Sequence, residues 1–442
     1  MAIPFLTHEQ GRATAAIHAQ QCVSRARMIG DMTALAALLP PSRFVMNVCR
    51  DRYNFAIAFG AAMMRGQTTL LPPSDAPVTL AQLVDDFGDL YVLADHDRKG
   101  SPAPLLVIPE KLVSVDIPDV PAFSGDQSAA ILFTSGSTGR PQAQAKSWGA
   151  LVASTRSAGR ALAISKLPDA TVVATVPLQH SYGLESAVLL CLQHGLVMDG
   201  SRPFFPTDIA EALEAIAGPR ILVTTPLHLR ALVDGSARSP RVDLVLSATS
   251  ALPVELAAAA ERVFGGRVIE IYGCSEAGQV GCRRTAEAKY FETIEGLSLR
   301  QDAGRTFVRG APIVPDEVML QDIIELESPT RFLLHGRTSD VVNIAGKRSS
   351  LAHLNAHLNA IEGVQDGVFV MPEEVRSGAA RPIAFVVAPG VAHETIMNAL
   401  RQRIDAAFLP RPLCFVDELP RNRLGKLPRE AVRRLIECAD VE

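Results

Sequence analysis

Short apolar runs punctuated by Gly, Pro, Ser or Asn recur along this chain at 43–49, 68–71, 90–94, 105–108, 129–133, 171–176, 221–225, 242–246 and 268–271, and each reads as a β-strand. Longer stretches with apolar positions at helical spacing, at 8–29, 53–64, 148–164, 184–193 and 252–264, lie among them and read as helices. Strand and helix in alternation predict an α/β fold: a large N-terminal domain of mostly parallel sheets covered by helices. In such sheets ligands gather beyond the carboxyl ends of strands. Four segments, 134–139, 177–180, 247–251 and 272–276, each follow a predicted strand and are expected to meet in one cleft.

The rhythm changes twice. From 281 to 337 helical spacing fades into short alternating pieces, which predict a small β-subdomain. Beyond it come a helix near 351–361, strands near 367–371 and 383–387, and helices near 393–408 and 429–438. This is the pattern of a small α+β C-terminal domain of about 100 residues. The expected division is 1–338 for the large domain and 339–442 for the small one.

Composition narrows the class. With 442 residues and 48% hydrophobic content the chain can bury large cores. A net charge of −4 leaves no electrostatic footprint for nucleic acid or an anionic membrane, so partners are sought among small molecules. The longest strongly apolar run, 55–64, is far short of the roughly 20 residues a membrane span needs. The N-terminal Met-Ala-Ile-Pro-Phe-Leu-Thr-His has neither a basic leader nor an apolar signal core, so a cytoplasmic protein is expected. Seven scattered cysteines, none spaced as CxxC, fit reduced thiols, and His353 and His357 at i, i+4 fit an ordinary helix face better than a metal site.

Candidate chemistry begins at Thr134-Ser135-Gly136-Ser137-Thr138-Gly139, directly after an apolar strand. Glycines let backbone N–H groups turn inward toward an anion, and the hydroxyls add neutral donors or a magnesium ligand. The same composition also suits a surface turn. Tyr272-Gly273-Cys274-Ser275-Glu276 puts a carboxylate at a strand mouth, where Glu276 is able to hold magnesium or to remain solvated. Gly273 to Ala277 also nearly matches the G-x-S-x-G elbow of serine hydrolases, with Ala277 breaking its last position. Arg337, between predicted domains, suits a ribose or phosphate contact or a solvated linker. Lys426, in a proline-bracketed loop after Gly425, suits a point charge delivered into a cleft or a surface lysine.

In this order and at these separations the motifs resemble the acyl- and aryl-adenylating (AMP-forming) enzymes, which include acyl-CoA synthetases, nonribosomal adenylation domains and luciferases, over about 43–429. The resemblance implies that Thr134 to Gly139 is the phosphate loop, with Thr138 sharing magnesium. Pro177-Leu178-Gln179-His180-Ser181-Tyr182-Gly183 resembles the Pro-x-x-His-x-x-Gly segment that places His180 beside the acyl pocket. It further implies Tyr272 beside the adenine, Gly273 and Ser275 in the same cofactor-binding motif, Glu276 toward magnesium, and Asp322, fourteen residues before Gly336, on the ribose. Arg337 matches the ribose-binding arginine, Ser339-Asp340 the hinge and Lys426 the catalytic lysine.

The implied reaction joins a small carboxylic acid to ATP with Mg²⁺, giving an acyl-adenylate and pyrophosphate. Transfer then follows to the thiol of CoA or of a phosphopantetheine-bearing acyl carrier protein. Gln142 stands where the family's loop usually has lysine, with Lys146 as a compensating cation four residues on, and Asn422 replaces a common threonine. The absence of a carboxylate in 179–182 disfavours an α-amino acid. Asp51-Arg52-Tyr53-Asn54-Phe55 and 66–73 look like the short ligases of aryl-polyene pathways, which favours an aromatic or unsaturated acid. Between 421 and 434 six cations face one anion, which suits an acidic carrier or CoA phosphates as well as a solvated helix face. The alternatives are a serine hydrolase using Ser275 and a non-catalytic nucleotide- or acyl-binding descendant.

Overall fold

The computed structural model describes residues 1–7, 13–72, 77–135, 141–235, 240–337, 341–344, 347–372, 381–422 and 425–439. Its largest sheet has eleven strands, and the centre is parallel: Val197–Asp199, Thr171–Ala174, Arg220–Thr224, Leu244–Ser247 and Arg267–Cys274 lie side by side. Their residues are buried almost throughout, as expected where helices cover both faces. A second sheet of six strands has a parallel body, Thr68–Leu71, Phe44–Asn47, Leu90–Ala94, Leu105–Val107 and Ser128–Ser135, and one antiparallel edge strand, Pro141–Ser147. Between the sheets runs a continuous core that contains Phe5, Phe59 and the fully buried Trp148. Trp148 opens the helix Trp148–Ala161, whose N-cap Ser147 accepts from the Ala150 amide.

Three expectations need correction. The helix foreseen over 8–29 is instead a hairpin, Thr14–His18 with Gln21–Ser24, followed by the helix Arg25–Leu38. Positive φ at both Ala19 and Gln20 makes the tight turn, and Thr14–His18 pairs with Val197–Asp199, a distant partner that local periodicity does not register. The helix foreseen over 184–193 winds as a π-helix over Leu184–Leu189. Finally, 281–337 does not form one separate sheet. Gly278–Arg283, Phe291–Thr293, Arg331–Arg337 and Asp322–Ser328 extend the large sheet antiparallel, and only Ser298–Asp302, Arg305–Gly310 and Val314–Leu320 stand apart.

Toward the C-terminus, Asp366–Val370, Ile383–Val387 and Leu413–Phe415 form a three-stranded sheet with its own apolar cluster around Leu354, Phe369, Ile396 and Leu400. The helix Arg429–Ala439 covers the other face through Val432, Leu435 and Ile436. No helix among the described residues is long and apolar enough to cross a membrane.

Candidate functional site

All four central strands Thr171–Ala174, Arg220–Thr224, Leu244–Ser247 and Arg267–Cys274 end at the same edge of the sheet, so the segments that follow them gather there. The Tyr182 hydroxyl ties three of these segments together, donating to the Thr224 carbonyl at 3.2 Å and the Leu246 carbonyl at 2.9 Å. Gly183 is required by close approach: a Cβ there would lie 2.0 Å from the Pro177 carbonyl oxygen. The short helix Ser181–Gly183 can fold back on 177–180 only because that atom is missing.

Tyr272, near the end of its strand, donates its hydroxyl to Asp322 Oδ2 at 2.7 Å. Its ring packs edge-on against Phe291 and Phe332, which fixes the phenol in place. Asp322 in turn stands opposite Arg337 in the register of the two paired strands. Three residues foreseen on a nucleotide, drawn from 272, 322 and 337, therefore occupy neighbouring positions.

Ser275 and Glu276 lie in the turn of an antiparallel hairpin between Arg267–Cys274 and Gly278–Arg283. No helix follows Ser275, so the nucleophile elbow of a serine hydrolase does not form. Glu276 is half-buried, and its carboxylate charge acts on the Cys274 thiol. Burial, with this carboxylate as a secondary cause, pushes the thiol up to about 12. No group of three or more His, Cys, Asp or Glu side chains is arranged for a metal among the described residues. A single carboxylate oxygen donor with the remaining positions open fits magnesium held jointly with nucleotide phosphates, since that ion seldom uses an all-protein cage.

His180 precedes the helix Ser181–Gly183, and its pKa is pushed down to about 4, first by burial and second by the positive charge of Lys426. The imidazole is neutral at pH 7, and the foreseen catalytic lysine belongs to its surroundings. Lys426 is exposed at the end of a loop clamped from within: the Asn422 amide donates to the Lys426 carbonyl at 2.8 Å and the Lys426 amide to Asn422 Oδ1 at 3.0 Å. Asn422 thus supplies the loop's own cap. Arg421 anchors the loop base through two bonds to Asp366, at 2.6 and 2.7 Å.

Gly136, Ser137, Thr138 and Gly139, like the Ser339-Asp340 hinge, lie outside the described residues. Thr134 and Ser135 end a strand that pairs antiparallel with the strand beginning at Pro141. Lys146, the cation offered in place of Gln142, lies four residues further along the strand, about 13 Å away, and its Nζ donates to the Glu276 carbonyl at 2.5 Å. Burial lowers its pKa, against the opposing effect of Glu185. Two further participants escaped sequence reasoning, Glu185 and Cys274; strand alternation could have flagged Lys146 on the Gln142 face, but nothing local marks Glu185.

The residues behind the aryl preference serve the scaffold. Asp51 N-caps the helix Arg52–Met64, the buried Arg52 donates to the Asp199 and Ala174 carbonyls, and Tyr53 donates to Asp31 at 2.6 Å.

Residues 69–322 match the family described as AMP-binding enzyme, and 355–426 match its C-terminal domain. A 4-coumarate–CoA ligase of Rhodobacter capsulatus is 28% identical over 312 residues, 70% of this chain and 77% of that protein. The fold is shared with o-succinylbenzoate CoA synthetase of Bacillus subtilis in complex with its acyl-adenylate intermediate, at a TM-score of 0.83 and 18% identity over 98% of each chain. It is also shared with ATP-bound MatB from Rhodopseudomonas palustris, at a TM-score of 0.82 and 18% identity over 97% of each chain.

Proposed function

The chain belongs to the AMP-binding enzyme family, and from that membership we propose that it activates a carboxylic acid with ATP and passes the acyl group to the thiol of CoA. One observation carries the proposal. Tyr272 bonded to Asp322, two residues foreseen on the nucleotide, and His180 within the field of Lys426 arise from distant segments in a chain of this family.

The acid's carboxylate attacks the α-phosphorus of ATP, a P–O bond to the acid forms, and pyrophosphate leaves. No protein nucleophile is needed, so the work is positioning and charge stabilisation. Tyr272 and Asp322 would orient adenine and ribose with Arg337, Gly273 and Ser275. Thr134, Ser135, Gly136, Ser137 and Gly139 would grip the phosphates, and Lys426 would stabilise charge developing around the α-phosphate. Glu276 and Thr138 would hold magnesium, which when bound neutralises phosphate charge. His180, neutral and partly buried, would border the acyl group without placing a second positive charge beside Lys426. In this scheme 1–338 binds the acid and nucleotide, and 339–442 delivers Lys426.

An aromatic acid is the proposed substrate class. It is supported by the similarity to a 4-coumarate–CoA ligase, and no longer by Asp51 to Phe55, whose contacts are structural. For the acceptor, CoA is favoured over a carrier protein because the curated relatives the chain resembles are named CoA ligases. The test is acid-dependent exchange of labelled pyrophosphate into ATP across benzoates, cinnamates, fatty acids and amino acids, followed by CoA or carrier capture of the best substrate. No exchange with any acid would overturn the proposal.

A further inference from the structure

The hairpin turn that carries Glu276 is held from two sides. Lys146 Nζ donates to the Glu276 carbonyl at 2.5 Å. The Gln279 amide donates to Glu185 Oε2 at 3.3 Å, from the side opposite the turn's tip. Glu185 is only 1% exposed, in the π-helix Leu184–Leu189, and it also accepts from Ser154 at 2.9 Å and from Ser181. The turn is fitted closely onto it: Gly278 has φ +77°, and a Cβ there would lie 3.2 Å from both Glu185 carboxylate oxygens.

A buried carboxylate needs both hydrogen bonds and a counter-charge. Glu185 has the first from Ser154, Ser181 and Gln279. Lys146 supplies the second, since Glu185 is the foremost of the negative groups that favour its ammonium form. Lys146 and Glu185 thus hold opposite ends of the same turn.

We propose that Lys146 and Glu185 are a coupled pair of positioning residues that fixes the 274–279 turn, so that Glu276 is presented to a divalent cation–nucleotide complex in one place. The proposal rests on the assignment of Glu276 to the metal made above. It gives Lys146 a task other than phosphate binding, its ammonium being turned to a backbone carbonyl about 13 Å along the strand from Gln142.

Binding measurements on the full chain test this without turnover. Mn²⁺ affinity of the enzyme–ATP complex is read by electron paramagnetic resonance, and AMP affinity by calorimetry in EDTA. In Lys146→Met, Mn²⁺ affinity should fall about tenfold, the scale of losing a residue that orients a metal ligand. AMP affinity should stay within about twofold, which also reports that the variant is folded. Lys146→Arg should recover most of the loss, and Glu185→Gln combined with Lys146→Met should lose less than the product of the single losses. Amide exchange at 275–279 should quicken in Lys146→Met. Equal weakening of AMP and Mn²⁺ binding, or unchanged Mn²⁺ binding, would overturn the inference. Glu276→Gln separates the two layers: if it weakens Mn²⁺ binding and Lys146→Met does not, only the positioning role fails, and if it leaves Mn²⁺ binding intact, the metal assignment fails with it.

Discussion

Replacing Tyr272 by Phe removes one oxygen from its contact with Asp322 and leaves the packing of the ring against Phe291 and Phe332 in place. What is lost is a 2.7 Å bond from a phenol to a carboxylate, half-screened from water. Hydrogen bonds to charged groups contribute about 1.5–3 kcal/mol, and the exposure of Asp322 places this one at the lower end, roughly 1.5 kcal/mol. If Asp322 is held by this bond so that its carboxylate meets the ribose hydroxyls, the loss appears in nucleotide affinity, where 1.4 kcal/mol is about tenfold. Calorimetric titration of AMP should therefore give a dissociation constant raised by about an order of magnitude in Tyr272→Phe. Asp322→Asn should lose at least as much, and the double variant less than the sum. Since the cycle cancels effects on packing, strict additivity would show that the two side chains do not act together. Unchanged AMP affinity with a lowered melting temperature would refute the reasoning, assigning the bond to the scaffold alone.

Lys426→Ala should slow pyrophosphate exchange by two to three orders of magnitude, equivalent to about 3–4 kcal/mol of transition-state stabilisation; near-wild-type exchange would remove Lys426 from the chemistry. Gly183→Ala forces a methyl to within 2.0 Å of the Pro177 carbonyl, and backbone displacement of this kind should cost about 1–3 kcal/mol, visible as a lower denaturant midpoint at unchanged m-value. The His180 ring should titrate near pH 4 by NMR, well below its ordinary 6.5. Between those values the unfolded chain binds the proton and the folded one does not, so the contribution of His180 to stability is full above pH 6.5 and is lost as pH falls through 4. His180→Gln should flatten that part of the stability profile, and a ring that titrates near 6.5 would contradict the burial argument.

Much of this molecule was legible in its residues taken in order. Apolar runs such as 68–71, 90–94 and 383–387 coincide with observed strands, because a short strand buried on both faces leaves an uninterrupted apolar signature. Tyr272, Asp322, Arg337 and Lys426 were singled out by residue type, spacing and resemblance, and the fold brings Tyr272 against Asp322. The hairpin of Thr14–His18 with Gln21–Ser24 was not legible, since its parallel partner Val197–Asp199 contributes nothing to local periodicity. The strands between 278 and 337 read as a detached subdomain for the same reason. Alternation reveals a strand but not which sheet it joins.

The sequence by itself determined the alternating α/β architecture and the residue types brought to the cleft, because buried runs and constrained loops write local patterns. Only the tertiary structure decided how charges are shared. Lys146, chosen from the sequence as a substitute cation for the phosphate loop, is turned by the hairpin toward the Glu276 carbonyl. Glu185, apparently one more helical carboxylate, is folded beneath the turn of Gly278 and Gln279. Hydrogen bonds and Coulomb interactions fall off over a few ångströms, and those separations are set by the packing of segments more than a hundred residues apart in some cases, such as Lys146 and Glu276.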